Sequence, residues 1–162
     1  MLRSIVSKNL SKAPLRTISR RTYAEGTANT LRLQFSLPHE TLYSNTTVNQ
    51  VNLPAQSGKM GILANHVPTI EQLSPGVVEI FEEGSGAIPK KYFISGGFAT
   101  VQPDSVLSIT AAEAFPLEYF SPEAVRSMIS EVKGLTTSSD EKLATESRIQ
   151  LEVLEELEKA LQ

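Results

Sequence analysis

The stretch that decides the fold runs from Leu53 to Ile80, LPAQSGKMGILANHVPTIEQLSPGVVEI. It sets Gly58, Gly61 and Gly76, and Pro54, Pro68 and Pro75, among short apolar runs. Glycine permits backbone turns closed to other residues, and proline fixes φ and removes a donor. Punctuation of this density between Met60 to Leu63, Val67 to Leu73 and Val77 to Phe81 predicts short strands joined by tight turns.

Working outward, Leu31, Leu33, Phe35 and Leu37 alternate with Arg32, Gln34 and Ser36, the period of a half-buried strand. A turn at Pro38-His39-Glu40 leads into a run beginning at Leu42 and Tyr43, and Val48, Val51 and Leu53 suggest a further strand. Downstream, Glu82-Glu83-Gly84-Ser85-Gly86 reads as a polar hairpin tip. Tyr92 to Ser95, Phe98 to Val101 and Val106 to Ala111 follow, with Gln102-Pro103-Asp104-Ser105 as a turn. This spacing predicts an all-β sandwich of about ten strands rather than βαβ units.

The register changes beyond Ala114. Ser121-Pro122-Glu123 is a helix start, with Ser as cap, Pro in the first turn and Glu at the positive dipole end. Val125, Met128, Ile129 and Val132 recur at helical spacing, and Gly134 is expected to stop the run. After a Thr/Ser loop, Ser138 with Glu141 fits a capping box. Leu143, Leu154, Leu157 and Leu161 form the stripe of a last helix, widened by Ile149 and Val153. The two make an antiparallel hairpin. The first helix, about 11 residues, is too short to hold alone in water. Its stripe must be buried, either on the sandwich or on a partner, and the two are not exclusive.

Charge is uneven along the chain. Six of the 15 basic residues precede residue 24 and all 18 acidic ones follow it, leaving nine cations against 18 carboxylates in the remainder. The opening segment is Arg- and Ser-bearing and acid-free. Leu2, Ile5, Val6, Leu10 and Ala13 lie on one side of a helical wheel. That is the composition of a mitochondrial transit peptide; the bland reading is a basic arm for nucleic acid or lipid. Arg21-Thr22-Tyr23 before Ala24 resembles a matrix-peptidase site. The expected organisation is a transit peptide over 1–23, a β-sandwich over 24–115 and a helical hairpin over 116–162. Without a basic stripe the acidic remainder is a poor nucleic-acid binder. No apolar run approaches the roughly 18 residues of a membrane helix, so direct membrane insertion is not expected.

Chemistry is hard to locate. The chain has no cysteine, hence no disulfide framework. His66 with Glu71 gives two ligands where zinc needs three or four. A structural role for His66 in its turn, bonding nearby backbone, is the favoured reading. Gly84 to Lys90 matches neither phosphate-loop spacing, and nothing nominates a nucleophile beside a base. No catalytic residue, metal site, nucleotide site or cofactor is expected. Gly96-Gly97 in a strand pattern marks a close backbone approach, either a sandwich corner or a flat spot for a partner.

The spacing Gly-x-x-Gly-Ile-Leu-x-x-His-x-Pro from Gly58 to Pro68, then Leu-x-Pro-Gly from Leu73 to Gly76, carries a resemblance. A second block agrees: Phe93-Ile94-Ser95-Gly96-Gly97-Phe98-Ala99-Thr100-Val101, then Val106 to Ile109. Together they resemble the small central-stalk subunit of F-type ATP synthases, called epsilon in bacteria and delta in mitochondria, over Leu31 to Leu161. The resemblance implies a non-enzymatic rotor subunit that couples rotation of the proton-driven ring to ATP synthesis in the catalytic head. Its implied partners are the gamma subunit, the c-ring of the membrane sector and, through the hairpin, the mitochondrial epsilon subunit. It assigns the loop facing the c-ring to Ser57, Gly58, Lys59, Met60 and Gly61, with His66 near that interface. Pro68, Pro75, Gly76, Gly96 and Gly97 become its turn and close-approach positions. Bacterial relatives often carry an acid where Lys59 stands and Pro where Ala64 stands. Some bind ATP through Asp-x-x-Arg-Ala, but Asp140-Glu141-Lys142-Leu143-Ala144 has Leu for the arginine that a phosphate needs, so ATP binding is not expected. The rival reading is a free mitochondrial matrix adaptor or chaperone with an epsilon-like sandwich; an enzyme is the third.

Overall fold

The computed structural model describes residues 30–84 and 88–162. The expected transit peptide over 1–23 and part of the Glu82 to Gly86 tip lie outside them. Among the described residues are nine strands and two helices: β1 (Leu31–Ser36), β2 (Thr41–Ala55), β3 (Gly58–Ile62), β4 (Thr69–Leu73), β5 (Gly76–Glu82), β6 (Lys90–Ile94), β7 (Gly97–Val101), β8 (Val106–Ala111), β9 (Ala114–Pro116), α1 (Pro122–Leu135) and α2 (Glu141–Ala160). A short 3-10 turn at Leu117–Tyr119 joins strands to helices.

The long strand β2 organises the sandwich. The sequence suggests two runs between Leu42 and Leu53, but the structure makes them one strand of 15 residues. Its first half pairs with β1, Leu31 opposite Val48, and its second half with β3, Val51 opposite Ile62. Asn45 takes a left-handed φ of 56° within the first half. The path β1-β8-β7-β4-β2 returns to β1, and β5-β6-β9 extends from β2. The β1–β8 pair is parallel and the other pairs are antiparallel. Closing the sheet through one shared strand leaves few free edges to template aggregation.

Period-2 alternation fills the interior. Leu31, Leu33 and Phe35 are buried with Val51, Leu53, Ile62, Val78, Ile80, Ile94, Leu107 and Ile109. Each side chain of this size contributes about 1.5–3 kcal/mol when fully buried. Tyr92 packs edge-on against both Phe35 and Tyr43, at 5.9 and 6.2 Å. The Tyr43 hydroxyl donates to Glu82 Oε1 at 2.8 Å, and Lys90 Nζ bonds the same oxygen at 2.8 Å. Burial first, then this bond, raises the Tyr43 phenol above its usual range. The Lys90 bond holds the Glu82 carboxyl below its usual range.

The paired glycines serve the sandwich itself. Gly97 stands opposite Ala111 in the β7–β8 ladder, where a Cβ would collide with the Thr110 carbonyl oxygen and come within 2.9 Å of Ala111 Cα. Gly96 takes φ 142° beside the Leu73 carbonyl. Of the two readings open from sequence, the close approach is to the chain's own strands.

Three helix expectations are corrected. Ser121 caps α1 as expected, accepting from Ala124 N–H at 3.4 Å. Gly134, however, does not end the helix, which continues through Leu135 to 14 residues; a glycine weakens an exposed helix without breaking its hydrogen bonds. The α2 cap is Asp140, not Ser138. Asp140 Oδ1 accepts from Lys142 and Leu143 N–H at 3.0 and 3.4 Å, while Ser138 Oγ accepts from Asp140 N–H at 3.2 Å. Met128 and Leu143, placed in the packed stripe by spacing, are 51 % and 37 % exposed. Ile129, expected in the same stripe as Met128, is buried; beside Leu143 it is Ala144, about 100° round the helix, that is buried; and Ile149, expected to widen the stripe of the last helix, is 60 % exposed.

The hairpin folds back on the sandwich. Phe93, Val125, Ile129 and Leu157 form a second core, with Val77, Leu117, Phe120, Leu151, Val153, Leu154 and Leu161 against it. Phe120 packs edge-on against Phe93 and Phe115 at 5.9 and 6.2 Å. Val132 is buried as expected. Ser147 is buried and its hydroxyl donates to Leu143 O, one turn back in the same helix, at 2.7 Å. Arg126–Glu158 and Lys133–Glu155 join the helices at 3.4 and 3.3 Å.

Candidate partner interface

The expected site residues occupy two ends of the β4–β7 pair. At one end, Leu73 pairs with Gly97 and with Ala55, and Ala55 pairs with Gly58. Here Ser57, Gly58 and Lys59 form the exposed β2–β3 tip, and Gly58 takes φ 127°. Ser57 Oγ donates to Glu71 Oε2 at 3.1 Å, and Gln56 N–H to Gln72 O at 2.9 Å. Met60 is half-buried, opposite Leu53, and Gly61 faces Asn52. Beside the tip, Ser74 N–H donates to Pro54 O at 2.9 Å, which sets the Pro75-Gly76 turn. A Cβ at Gly76 would lie 2.8 Å from Pro54 Cβ.

At the other end, Thr69 pairs with Val101. The β3–β4 turn lies here, with His66 and the exposed Leu63, Val67 and Pro68. His66 therefore does not join the Ser57 to Gly61 tip, from which β3 and β4 separate it. His66 Nδ1 bonds Val67 O at 2.9 Å, the structural role expected of it. The His66–Glu71 pairing considered from sequence is not formed, since Glu71 bonds Ser57 at the tip.

Between these ends lies a surface that sequence reading missed. Ladder register lines up Ile70, Thr100, Ser108 and Gln34 in one row and Gln72, Phe98, Thr110 and Ser36 in the next. All eight face away from the core, and none carries a charge. Ile70 and Phe98 are 73 % and 58 % exposed. The Arg32–Asp104 pair, at 3.1 Å, stands at the rim. Four strands at about 4.8 Å spacing make a platform some 15 Å wide, enough to seat a helix of about 10 Å diameter. In the β3–β4 turn beyond Thr69, Leu63 and Val67 are exposed as well. The only sequence signal is uncharged alternation at 34, 36, 98, 100, 108 and 110, which means nothing until register joins the strands.

A second, charged groove runs between β2, β5 and the end of α2, lined by Lys59, Glu79, Lys91, Leu117, Glu156 and Lys159. Four of its five charges form two ion pairs. Lys91 pairs with Glu79 at 3.3 Å and Lys159 with Glu156 at 2.7 Å. The Asn52 amide, 2.9 Å from Glu79, and then Lys91 hold that carboxyl below its usual range. On the hairpin, Met128, Leu135, Leu143 and Ile149 are exposed. Among the described residues no helix is long and apolar enough to cross a membrane, and no group of three or more His, Asp or Glu is placed to hold a metal.

Comparison with known proteins agrees with this architecture. Residues 30–116 match the β-sandwich domain of the ATP synthase delta/epsilon chain, and residues 120–159 match the C-terminal domain of the fungal epsilon subunit of F1F0-ATP synthase. The chain is 58 % identical over 161 residues to the mitochondrial ATP synthase subunit delta of Kluyveromyces lactis, covering 99 % of each. It is equally 58 % identical to that of Saccharomyces cerevisiae over 163 residues, again 99 % of each. It superposes with TM-score 0.78 and 30 % identity on a chain of the Euglena gracilis mitochondrial ATP synthase in a cryo-EM structure of OSCP, F1 and c-ring, covering 94 % of this chain and 91 % of that one. The chain belongs to the delta/epsilon family of ATP synthase subunits, in its fungal mitochondrial branch.

Proposed function

We propose that this chain is a non-catalytic rotor subunit of the mitochondrial ATP synthase, joining the gamma subunit to the c-ring as a rigid coupling. The gamma subunit lies on the uncharged platform of Ile70 and Phe98 and on the Leu63–Val67 turn. The Ser57 to Gly61 tip, at the far end of β4, meets the c-ring. The exposed hairpin side chains Met128, Leu135, Leu143 and Ile149 receive the small mitochondrial epsilon subunit. Residues 1–23 are a cleaved presequence, 24–115 the sandwich and 116–162 the hairpin, and the protein works on the matrix side of the inner membrane.

The observation that carries this reading is the platform itself. Ile70 and Phe98 are large apolar side chains left exposed on one uncharged sheet face, and permanent assemblies bury such side chains at the centre of their interfaces. The platform lies between the tip and the β3–β4 turn, beside the tip at Gln72, which gives a coupling element adjoining surfaces for two neighbours.

Ile70→Thr with Phe98→Thr tests it. Both substitutions keep β propensity on a solvent face, so thermal stability is expected to hold. In mitochondria depending on the double variant, native gels should show most of the chain lost from the synthase. Full retention in the synthase with both residues changed refutes the platform. A parent chain found only as a small free species refutes the rotor reading in favour of a matrix adaptor.

A further inference from the structure

Two non-glycine residues with left-handed backbone meet beneath the Leu63–Val67 turn. Asn65, φ 61°, lies in the turn itself, and Ser105, φ 59°, closes the β7–β8 turn. A Cβ makes this conformation unfavourable; asparagine adopts it more readily than most residues, and glycine does so without steric cost. At position 105 a glycine would satisfy the backbone as well. The Ser105 N–H donates to Gln102 O at 3.3 Å, and its carbonyl accepts from Arg32 N–H at 2.9 Å.

What glycine would lack is the hydroxyl. Ser105 is 2 % exposed. Its Oγ accepts from the Asn65 N–H at 2.8 Å, and its own proton is directed at Asn65 Oδ1, 3.5 Å away. The partners are 40 positions apart. The other bonds of the turn are local: His66 N–H donates to Leu63 O at 3.3 Å, and His66 Nδ1 to Val67 O. Those bonds shape the turn, whereas the Ser105 hydroxyl ties it to the β7–β8 pair that also carries Phe98.

We infer that Ser105 is a positioning residue for the gamma interface: its buried hydroxyl holds the Leu63–Val67 turn so that Leu63 and Val67 extend the platform of Ile70 and Phe98. This rests on the docking surface proposed above. An apolar turn already ordered in the free chain loses less conformational freedom on binding, and the gain appears as a slower dissociation rate. A left-handed serine is thus kept for a bond that serves the neighbouring turn rather than its own.

The test is Ser105→Gly in the purified chain and in its reconstituted complex with gamma. Losing the hydroxyl's bonds to Asn65 and relieving the left-handed backbone oppose each other, so the melting temperature should stay near that of the parent. Exchange of the Asn65 amide should rise about tenfold, and dissociation from gamma should quicken about tenfold, each the equivalent of one neutral hydrogen bond. Unchanged Asn65 exchange overturns the inference, as does fast exchange with parental dissociation. A large fall in melting temperature overturns it too, by assigning the hydroxyl to general stability. Val67→Thr with Phe98→Thr separates the two levels. If that pair leaves gamma binding intact, the docking surface is wrong, while Asn65 exchange in Ser105→Gly still reports whether the hydroxyl holds the turn.

Discussion

Replacing Gly97 by valine puts a branched side chain where the structure leaves room for a hydrogen. A Cβ built there would strike the Thr110 carbonyl oxygen and stand 2.9 Å from Ala111 Cα and 3.1 Å from Thr110 C. These are backbone atoms of the neighbouring strand, held in register by the Gly97–Ala111 and Phe98–Thr110 pairs, so no side chain can rotate away. Overpacking of a well-packed site costs about 1–3 kcal/mol, and an obstacle made of backbone places this variant at the upper end, about 3 kcal/mol. For a domain of this size that corresponds to a fall in melting temperature of roughly 10–15 °C. Because β7 and β8 bear Phe98, Thr100, Ser108 and Thr110, distortion of this pair should also reduce incorporation into the synthase. Circular dichroism melts of the purified chain and native gels of mitochondria measure the two effects. Lys59→Ala is the control, an exposed tip substitution expected within about 0.5 kcal/mol of the parent. A Gly97→Val melt matching that of Lys59→Ala would refute the close-approach argument.

Asp140→Ala should cost about 1 kcal/mol through loss of the α2 cap, read in urea unfolding, whereas Ser138→Ala should cost clearly less; the reverse order would restore the capping box at Ser138. Glu79 and Glu82 have folded-state pKa values below the ordinary 4.5, so their contribution is complete above that pH and is lost as pH falls through the folded values. Stability measured from pH 5 downward should therefore fall less steeply in Glu79→Gln/Glu82→Gln than in the parent. Lys90 is shifted upward from 10.5 by Glu82, so its contribution is present below that pH and disappears as pH rises through its folded value. A Lys90→Met variant should show a weaker alkaline decline, and an unchanged one would remove Lys90 from the network.

Much was legible in the chain because it is written in local periodicity. Alternation at Leu31, Leu33 and Phe35, the glycine and proline punctuation from Pro54 to Gly76, and the Ser121-Pro122-Glu123 start depend on neighbours a few residues apart. Each becomes a strand, a turn or a helix start where expected. The family likeness rests on the same local spacings. The misreadings came where the outcome depends on what stands opposite. Leu143 outranks Ala144 in hydrophobicity, yet Ala144 and Ser147 are the residues of the first turns of α2 that are buried. Met128 falls outside the part of its stripe that Val125, Ile129 and Val132 bury.

The residues themselves determined a sandwich followed by a hairpin, since pattern and punctuation act within a few positions. Only the tertiary structure decided which surfaces that architecture presents. Strand pairing set Ile70 beside Thr100 and Phe98 beside Gln72, and it parted His66 from the Ser57 to Gly61 tip. It also brought Ser105 under Asn65, 40 positions away. Hydrogen-bond register between strands distant in sequence has no local code, so the uncharged platform and the hydroxyl beneath its edge exist only once the sheet has closed.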